Sequence, residues 1–134
     1  MNSQNPKHAI GTIGELVAEK YLKAKKYRIL DRNYFLKTKT GVKLGELDIV
    51  AKKDRIIVFV EVKAINQRKG IGIRPEDKVD NRKKRKLIMT AENWLQKNKL
   101  PLTTACQIDI IAIELNMENK KAKVLHYKNV IESK

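Results

Sequence analysis

Two acidic side chains and a lysine in neighbouring segments of the chain have the residue types that phosphodiester hydrolysis requires. Asp48 lies in the segment LGELDIVAKK, and Glu61 and Lys63 lie in the segment RIIVFVEVK. Two carboxylates can hold one divalent cation, which polarises a phosphate oxygen and lowers the pKa of a bound water. A nearby ammonium group can orient that water and stabilise charge that develops on phosphorus.

The alternation of side chains along a strand predicts which of these residues share a face. In the first segment it predicts one face with Leu44, Glu46, Asp48 and Val50, and the other with Leu47, Ile49 and Ala51. In the second segment it predicts that Glu61 and Lys63 share a face with Ile57 and Phe59. The three chemical groups can therefore converge on one side of a hairpin.

The position of the hairpin turn decides how close the two acids come. A two-residue turn at Asp54 and Arg55 places Asp48 directly across from Glu61, with Cβ atoms about 5 Å apart. A turn that begins at Lys53 makes the two acids diagonal neighbours, roughly 7–8 Å apart. Either separation suits one bridging cation. A short acid–lysine pattern on its own is commonly a solvated ion pair. Here both acids and the lysine lie on one apolar hairpin of a basic chain, and this combination favours a catalytic metal site.

The remaining metal-binding residue types restrict the identity of the cation. With His8, His126 and Cys106 as the only histidines and cysteine, the chain cannot assemble a zinc site of the usual His/Cys type. Carboxylates and water suit a hard cation, so we expect Mg²⁺ or Mn²⁺.

The charge balance points to a polyanionic partner. The 134 residues include 30 Lys and Arg against 15 Asp and Glu, a formal net charge of +15. Nucleic acid is the first partner to expect, and an anionic membrane surface is the second. Aromatic residues make up only 5% of the chain, which argues against a domain that reads single strands on a sheet of rings.

The sequence gives little support to the membrane alternative. Its longest wholly apolar run is Ile56–Val60, and about 20 such residues are needed to cross a bilayer. The N-terminal segment has no apolar signal core, and a chain with one cysteine cannot form an internal disulfide. We therefore expect a cytoplasmic protein without a membrane partner.

The periodicity of apolar residues predicts a single α/β domain over residues 1–134, with about the first nine residues frayed. The predicted order is a helix, three strands, a helix and two strands: Ile10–Lys26, Arg28–Lys37, Leu44–Lys53, Arg55–Lys63, Lys78–Asn98, Gln107–Leu115 and Lys121–Tyr127. Residues 64–77 are predicted to be a loop. Because a long helical crossover precedes the fourth strand, we expect this strand to lie parallel to an earlier one in a mixed sheet.

The helical patterns also predict which side chains are buried. The second helix should bury Leu87, Ile88, Ala91, Trp94 and Leu95, and Cys106 should join the core. In the first helix, Glu15 falls at the edge of the apolar arc, beside Leu22. In the second helix, Lys83 precedes Leu87 by one turn, so its side chain can reach toward the sheet face that carries Asp48 and Glu61.

Clustered cations provide candidate contacts to phosphate, which would position nucleic acid without reading its sequence. These residues are Lys78, Arg82, Lys83, Lys84, Arg85 and Lys86, with Arg68, Lys69 and Arg74 in the preceding loop. A solvated helix face is the alternative for such a run.

Three segments together resemble the YraN-like family of bacterial proteins, within the PD-(D/E)XK nuclease superfamily that includes archaeal Holliday-junction resolvases. They are GTIGELVAEKYL, GELDIVA and VFVEVKA, and the similarity continues through RPEDKVDNRKKRKLIMTAENWL and QIDIIAI. The resemblance implies a restriction-endonuclease-like domain whose mixed central sheet is flanked by helices.

The resemblance also implies roles for individual residues. Asp48 matches the first acid of the superfamily motif, Glu61 the acid of the second half-motif and Lys63 its lysine. Glu15 matches a supplementary metal or water ligand, and Glu46 matches the GE-x-D pattern. Leu47 stands where the motif has proline. Lys83 and Asp109 also match family positions, and we expect a structural role for Asp109 because a buried acid is usually hydrogen-bonded.

The function expected from these residues is Mg²⁺- or Mn²⁺-dependent endonucleolytic hydrolysis of nucleic acid, with structured or branched DNA as the substrate. One alternative is a nucleic-acid-binding module that has this fold but does not cut. Another is a protein that assists a DNA-processing partner. A homodimer is expected by analogy with resolvases, which cut two strands symmetrically.

Overall fold

The computed structural model describes residues 6–66 and 81–131, which form two helices and a five-stranded sheet. The elements are α1 (Pro6–Ala24), β1 (Arg28–Lys37), β2 (Lys43–Lys53), β3 (Ile56–Asn66), α2 (Asn81–Lys97), β4 (Cys106–Asn116) and β5 (Lys121–Tyr127). The strand order follows the chain, and only β3 and β4 are parallel. The predicted mixed α/β sheet is confirmed, and the architecture is consistent with a restriction-endonuclease-like domain. Within the described residues, neither helix is long and apolar enough to cross a bilayer.

A two-residue turn joins β2 to β3. Asp54 and Arg55 have φ angles of 51° and 70°, which is the conformation of the tight hairpin turn that matches strand twist. The strands pair from Lys53 with Ile56 to Ile49 with Val60. Continuing this register by one residue brings Asp48 opposite Glu61, so the first of the two predicted turns is correct.

The two helices cover opposite faces of the sheet, and a glycine allows each one to approach closely. A Cβ atom on Gly14 of α1 would collide with the side chain of Ala64 in β3. A Cβ atom on Gly45 of β2 would collide with Thr90 of α2. Because glycine has no side chain, both helix–strand contacts form without displacing a strand. The second contact brings α2 against the end of β2 that carries the candidate acids.

The alternation of β2 is interrupted near Asp48. Leu47 packs with Val50 in the core under α2, whereas Ile49 packs in the core under α1. The prediction that Leu47 shares the face of Ile49 and Ala51 is therefore wrong. Across the ladder, Asn33 of β1 has a φ of 50° between two regular pairs. The ladder is therefore irregular in this region, and simple alternation does not hold through Leu47.

Two predictions of burial are also wrong. Ile88 is 39% exposed, because α2 turns Leu87, Thr90 and Ala91 toward the sheet and Ile88 lies beyond that arc. Cys106 is exposed, since it is the first residue of β4 and lies at the end of the sheet. The predicted burial of Trp94 is confirmed: its indole packs edge-on against the ring of Phe59 and donates a hydrogen bond to Asp31.

Asp109 is fully buried, and its carboxylate contacts residues that hold neighbouring elements together. Its carboxylate accepts hydrogen bonds from the side chain of Gln107 (2.9 Å) and the backbone N–H of Asn129 (2.8 Å). His126 Nε2 lies 2.7 Å from the other carboxylate oxygen, and His126 Nδ1 lies 2.9 Å from the hydroxyl of Tyr21. This network joins β4, β5 and α1, so the expected structural role of Asp109 is confirmed.

Candidate active site

A cavity of about 380 Å³ lies where β2 and β3 meet the first turns of α2. It brings together the two candidate acids, the candidate lysine of β3 and Lys83 from α2. The lining residues are Lys43, Leu44, Gly45, Glu46, Asp48, Glu61, Val62, Lys63, Lys83, Lys86 and Leu87. The predicted grouping of Asp48, Glu61 and Lys63 on one side of the hairpin agrees with this lining.

Asp48 lies where the regular pairing of β2 and β3 ends. The last pair is Ile49 with Val60, and beyond it the carboxylate of Asp48 accepts a hydrogen bond from the backbone N–H of Val62 at 2.7 Å. Burial raises the pKa of Asp48 to about 7, and the negative charges of Glu15 and Glu61 act in the same direction. The hydrogen bond from Val62 opposes this shift. Asp48 is thus a carboxylate that a nearby cation would stabilise.

Glu61 is buried, with 8% of its surface exposed, and two ammonium groups balance its charge. Its Oε2 atom lies 2.7 Å from Lys83 Nζ and 3.5 Å from Lys63 Nζ. Among the described residues, no donor meets this buried oxygen with regular hydrogen-bond geometry. The contacts with Lys83 and Lys63 therefore compensate for the removal of this oxygen from water.

The two lysines beside Glu61 differ in their affinity for a proton. Burial lowers the pKa of Lys63, and the adjacent ammonium group of Lys83 lowers it further. Burial also lowers the pKa of Lys83, but its contacts with Glu61 and Lys63 and the negative charge of Asp48 together outweigh this effect, and the pKa is raised overall. Lys83 thus carries the more persistent positive charge, and Lys63 is the lysine that releases its proton more readily.

Glu15 lies on the opposite side of Asp48 from the first cavity. A second cavity of about 290 Å³ separates α1 from β1 and β2, and both Glu15 and Asp48 line it. Asp48 therefore lines both cavities. Glu46 lines the first cavity and pairs through Oε1 with Lys43 Nζ at 2.7 Å. A role of Glu15 or Glu46 in holding a metal stays a prediction.

The donor atoms of this site fit a hard divalent cation that retains much of its water. No group of three or more His, Cys, Asp or Glu side chains is close enough to hold a metal within residues 6–66 and 81–131. Asp48 and Glu61 can supply two carboxylates, and Glu61 Oε2 lacks a regular hydrogen bond. Mg²⁺ commonly binds through one or two carboxylates and completes its shell with water and substrate phosphates.

The basic run at the start of α2 is divided between the cavity and the surface. Lys83 and Lys86 line the cavity, whereas Arg82 and Arg85 are exposed outside its lining and Lys84 is half-exposed. The remaining predicted phosphate contacts, Lys78, Arg68, Lys69 and Arg74, lie outside the described residues.

Sequence reasoning did not identify two parts of the site. Lys43, at the start of β2, lines the cavity and pairs with Glu46. The backbone N–H of Val62 holds the carboxylate of Asp48. The order Lys-x-x-Glu could have indicated the first contact. No sequence pattern identifies the second, because it depends on where the strand pairing ends.

Comparison with known proteins groups the chain with bacterial relatives of similar length. A UPF0102 protein from Fervidobacterium nodosum is 43% identical over 121 residues, which cover 88% of this chain and 78% of the relative. A UPF0102 protein from Vibrio parahaemolyticus is 39% identical over 107 residues, covering 80% and 82% of the two chains. The sequence model of the uncharacterised protein family UPF0102 matches residues 14–113, which include Asp48, Glu61, Lys63 and Lys83. The chain therefore belongs to the UPF0102 family.

Proposed function

We propose that this protein is a nuclease that hydrolyses phosphodiester bonds in nucleic acid with the help of Mg²⁺ or Mn²⁺. Its proposed substrate is structured or branched DNA. The observation that carries the proposal is the convergence of Asp48, Glu61, Lys63 and Lys83 on one cavity. One buried and one partly buried carboxylate beside two ammonium groups provide ligands for a cation and donors for a phosphate. The PD-(D/E)XK relationship that the sequence suggests agrees with this chemistry.

In the proposed reaction, Asp48 and Glu61 hold the divalent cation. When bound, the cation supplies Lewis-acid chemistry and makes a coordinated water easier to deprotonate. The hydrogen bond from Val62 fixes the orientation of the Asp48 carboxylate. Lys63 orients the attacking water, and its lowered pKa makes its ammonium group a better proton donor than an ordinary lysine. Lys83 keeps its charge and stabilises negative charge on the phosphate.

One contact favours a second candidate, a nucleic-acid-binding module that does not cut. The negative charge of Glu61 is already balanced by Lys83 at 2.7 Å and by Lys63 at 3.5 Å. A site that is neutralised in this way is stable without a cation. In this alternative the ammonium groups contact phosphates directly, and the net charge of +15 provides the affinity.

A cleavage panel distinguishes the nuclease from the module. Labelled linear, flapped and four-way-junction DNA, together with an RNA hairpin, are incubated with protein in Mg²⁺, in Mn²⁺ and in EDTA. The same panel is run with Asp48→Asn, which removes a charge but keeps the side-chain volume, and with Glu92→Gln as a matched control. Glu92 is an exposed acid of α2 outside the cavity lining.

The nuclease proposal expects metal-dependent cleavage by the natural protein and by Glu92→Gln, and no cleavage by Asp48→Asn. DNA binding should persist in Asp48→Asn, because a negative charge facing the phosphate is removed. A natural protein that binds but cleaves no substrate, with unchanged behaviour in Asp48→Asn, would establish the module instead.

A further inference from the structure

The end of the β1–β2 hairpin exposes apolar side chains next to the candidate active site. Phe35 is 42% exposed, Val42 is 58% exposed and Leu44 is 38% exposed. Isolated exposed apolar residues are ordinary, but these three belong to one hairpin end. Phe35 pairs with Glu46 in the strand register, and the hairpin narrows to the pair of Lys37 with Lys43. The ring of Phe35 is therefore partly exposed at this hairpin end.

Two lysine ammonium groups lie over the ring of Phe35. Lys43 Nζ lies 5.2 Å from the ring centroid and Lys37 Nζ lies 5.7 Å from it. Both distances are within the range of a cation–π contact. A partly exposed ring beside two ammonium groups matches a nucleotide. A base presents a flat π-face that can replace a lysine over the ring, and each neighbouring phosphate presents a negative charge to the displaced ammonium group.

This hairpin end is continuous with the cavity. Lys43 Nζ also lies 2.7 Å from Glu46 Oε1. Lys43, Leu44 and Glu46 all line the cavity that contains Asp48 and Glu61. A strand whose base stacks on Phe35 can therefore continue along Lys43 into the site.

We propose that Phe35, together with Lys37 and Lys43, forms a stacking platform for one unpaired base of a nucleic-acid strand that leads into the cavity. This inference rests on the proposed function and specifies its substrate class. The base is unpaired in this proposal. A base inside a continuous duplex has both faces covered by its neighbours, whereas an unpaired base can turn one face to the ring. The preferred substrate then has unpaired nucleotides beside a duplex, such as a flap, a junction or an overhang.

Charge argues against a second copy of the chain as the occupant of this hairpin end. A two-fold contact brings the same patch onto itself. Lys37, Lys39 and Lys43 would then meet their own copies, and like charges repel. Nucleic acid has the complementary charge.

Binding measured in EDTA tests the platform without any cleavage. Fluorescence anisotropy gives the affinities for oligo-dT, for a blunt duplex and for the same duplex with a single-stranded overhang. The variants are Phe35→Ala and Phe35→Leu, the second of which keeps an apolar side chain but has no π-face. Leu102→Ala is the control, because Leu102 is 54% exposed and does not line the cavity.

The platform predicts that both Phe35 variants lose about 10-fold in affinity for oligo-dT and for the overhang, the usual effect of removing one stacked ring. Affinity for the blunt duplex should change less than about twofold, and Leu102→Ala should bind all three DNAs as the natural protein does. Phe35→Trp should retain binding, and oligo-dT should quench the new indole. The native Trp94 is buried and gives a constant background.

Three results would overturn the platform: an equal loss on all DNAs, no loss at all, or no quenching in Phe35→Trp. A change in sedimentation of Phe35→Leu with unchanged preference for unpaired DNA would instead assign the hairpin end to self-association. The test also separates the two proposals. If Phe35→Leu cleaves DNA and keeps its preference for unpaired DNA, the nuclease proposal is retained and the platform is rejected. If the natural protein shows stacking on Phe35 but no cleavage, the platform is retained and the nuclease proposal is rejected.

Discussion

The ammonium group of Lys83 lies 2.7 Å from Oε2 of Glu61, so a lysine from α2 occupies a position that a metal ion at Glu61 would also favour. The contact depends on the close packing of α2 on Gly45. It makes Lys83 both a partner of the carboxylate and a competitor of the cation.

Lys83→Met should therefore increase the affinity of the site for Mn²⁺ or Mg²⁺ by about 10-fold, because it removes a like charge within a few ångströms of the cation. Isothermal titration calorimetry near pH 7.5 measures the change. Arg85→Met is the matched control, since it removes the same charge from an exposed position of α2 outside the cavity lining. Weaker metal binding in Lys83→Met would show that Lys83 holds Glu61 in place for the cation.

Asp48 should make the stability of the metal-free protein depend on pH. Its pKa in the fold is about 7, above the ordinary value of 3.8. Folding therefore favours the protonated acid, and stability is lost as pH rises from about 4 to about 7. Asp48→Asn removes this penalty and should stabilise the protein at pH 8 by on the order of 1–4 kcal/mol.

Urea unfolding in EDTA at pH 4, 5 and 8 measures this effect. The difference between Asp48→Asn and the natural protein should be small at pH 4 and should grow through pH 7. Glu92→Gln, which changes an exposed acid, should show no such growth. A difference of equal size at every pH would mean that Asp48 ionises as easily in the fold as in the unfolded chain.

Lys63→Met should separate metal binding from chemistry. The variant keeps both carboxylates, so cation affinity should be retained or increased, while single-turnover cleavage should slow by about 10²–10⁴-fold. Lys52→Met is the control, because Lys52 lies in β2 outside the cavity lining. Cleavage at the natural rate in Lys63→Met would assign water positioning to another group, with Lys83 the nearest candidate.

The basic run of α2 should contribute affinity without sequence preference. Replacing Arg82, Lys84 and Arg85 with Ala should weaken binding to unrelated duplexes equally. It should also reduce the steepness of the log–log salt dependence by about 0.9 for each phosphate that the variant no longer neutralises. The control replaces three lysines of the β4–β5 hairpin, Lys120, Lys121 and Lys123. Unchanged affinity and slope in the α2 variant would show that this run is only a solvated face.

Local patterns were sufficient to predict the strands and the hairpin that carries the acids. The predicted strands Arg28–Lys37 and Lys121–Tyr127 agree with β1 and β5 to the residue. The short connection at Asp54 predicted the correct turn and with it the register of β2 and β3, which ends at Ile49 with Val60. These features depend on neighbours in sequence, so periodicity and turn length contain the information.

Several predictions failed where a distant residue decides the outcome. Alternation could not indicate that Leu47 faces the core under α2, because this contact depends on how α2 packs against the sheet. The helical pattern could not indicate that Ile88 is exposed, since the arc that touches the sheet depends on how α2 is rotated. Which face these side chains occupy depends on the packing of helix against sheet, and a local sequence pattern does not contain that information.

The sequence by itself determined which chemical groups the chain has, and that Asp48, Glu61 and Lys63 belong to one hairpin. Only the tertiary structure decided that Lys83 meets Glu61, that Val62 holds Asp48 and that Lys43 links Phe35 to the cavity. The physical reason is the range of the interactions. Strand pairing and side-chain alternation act between close neighbours in the chain, whereas burial and ion pairing depend on which elements pack together.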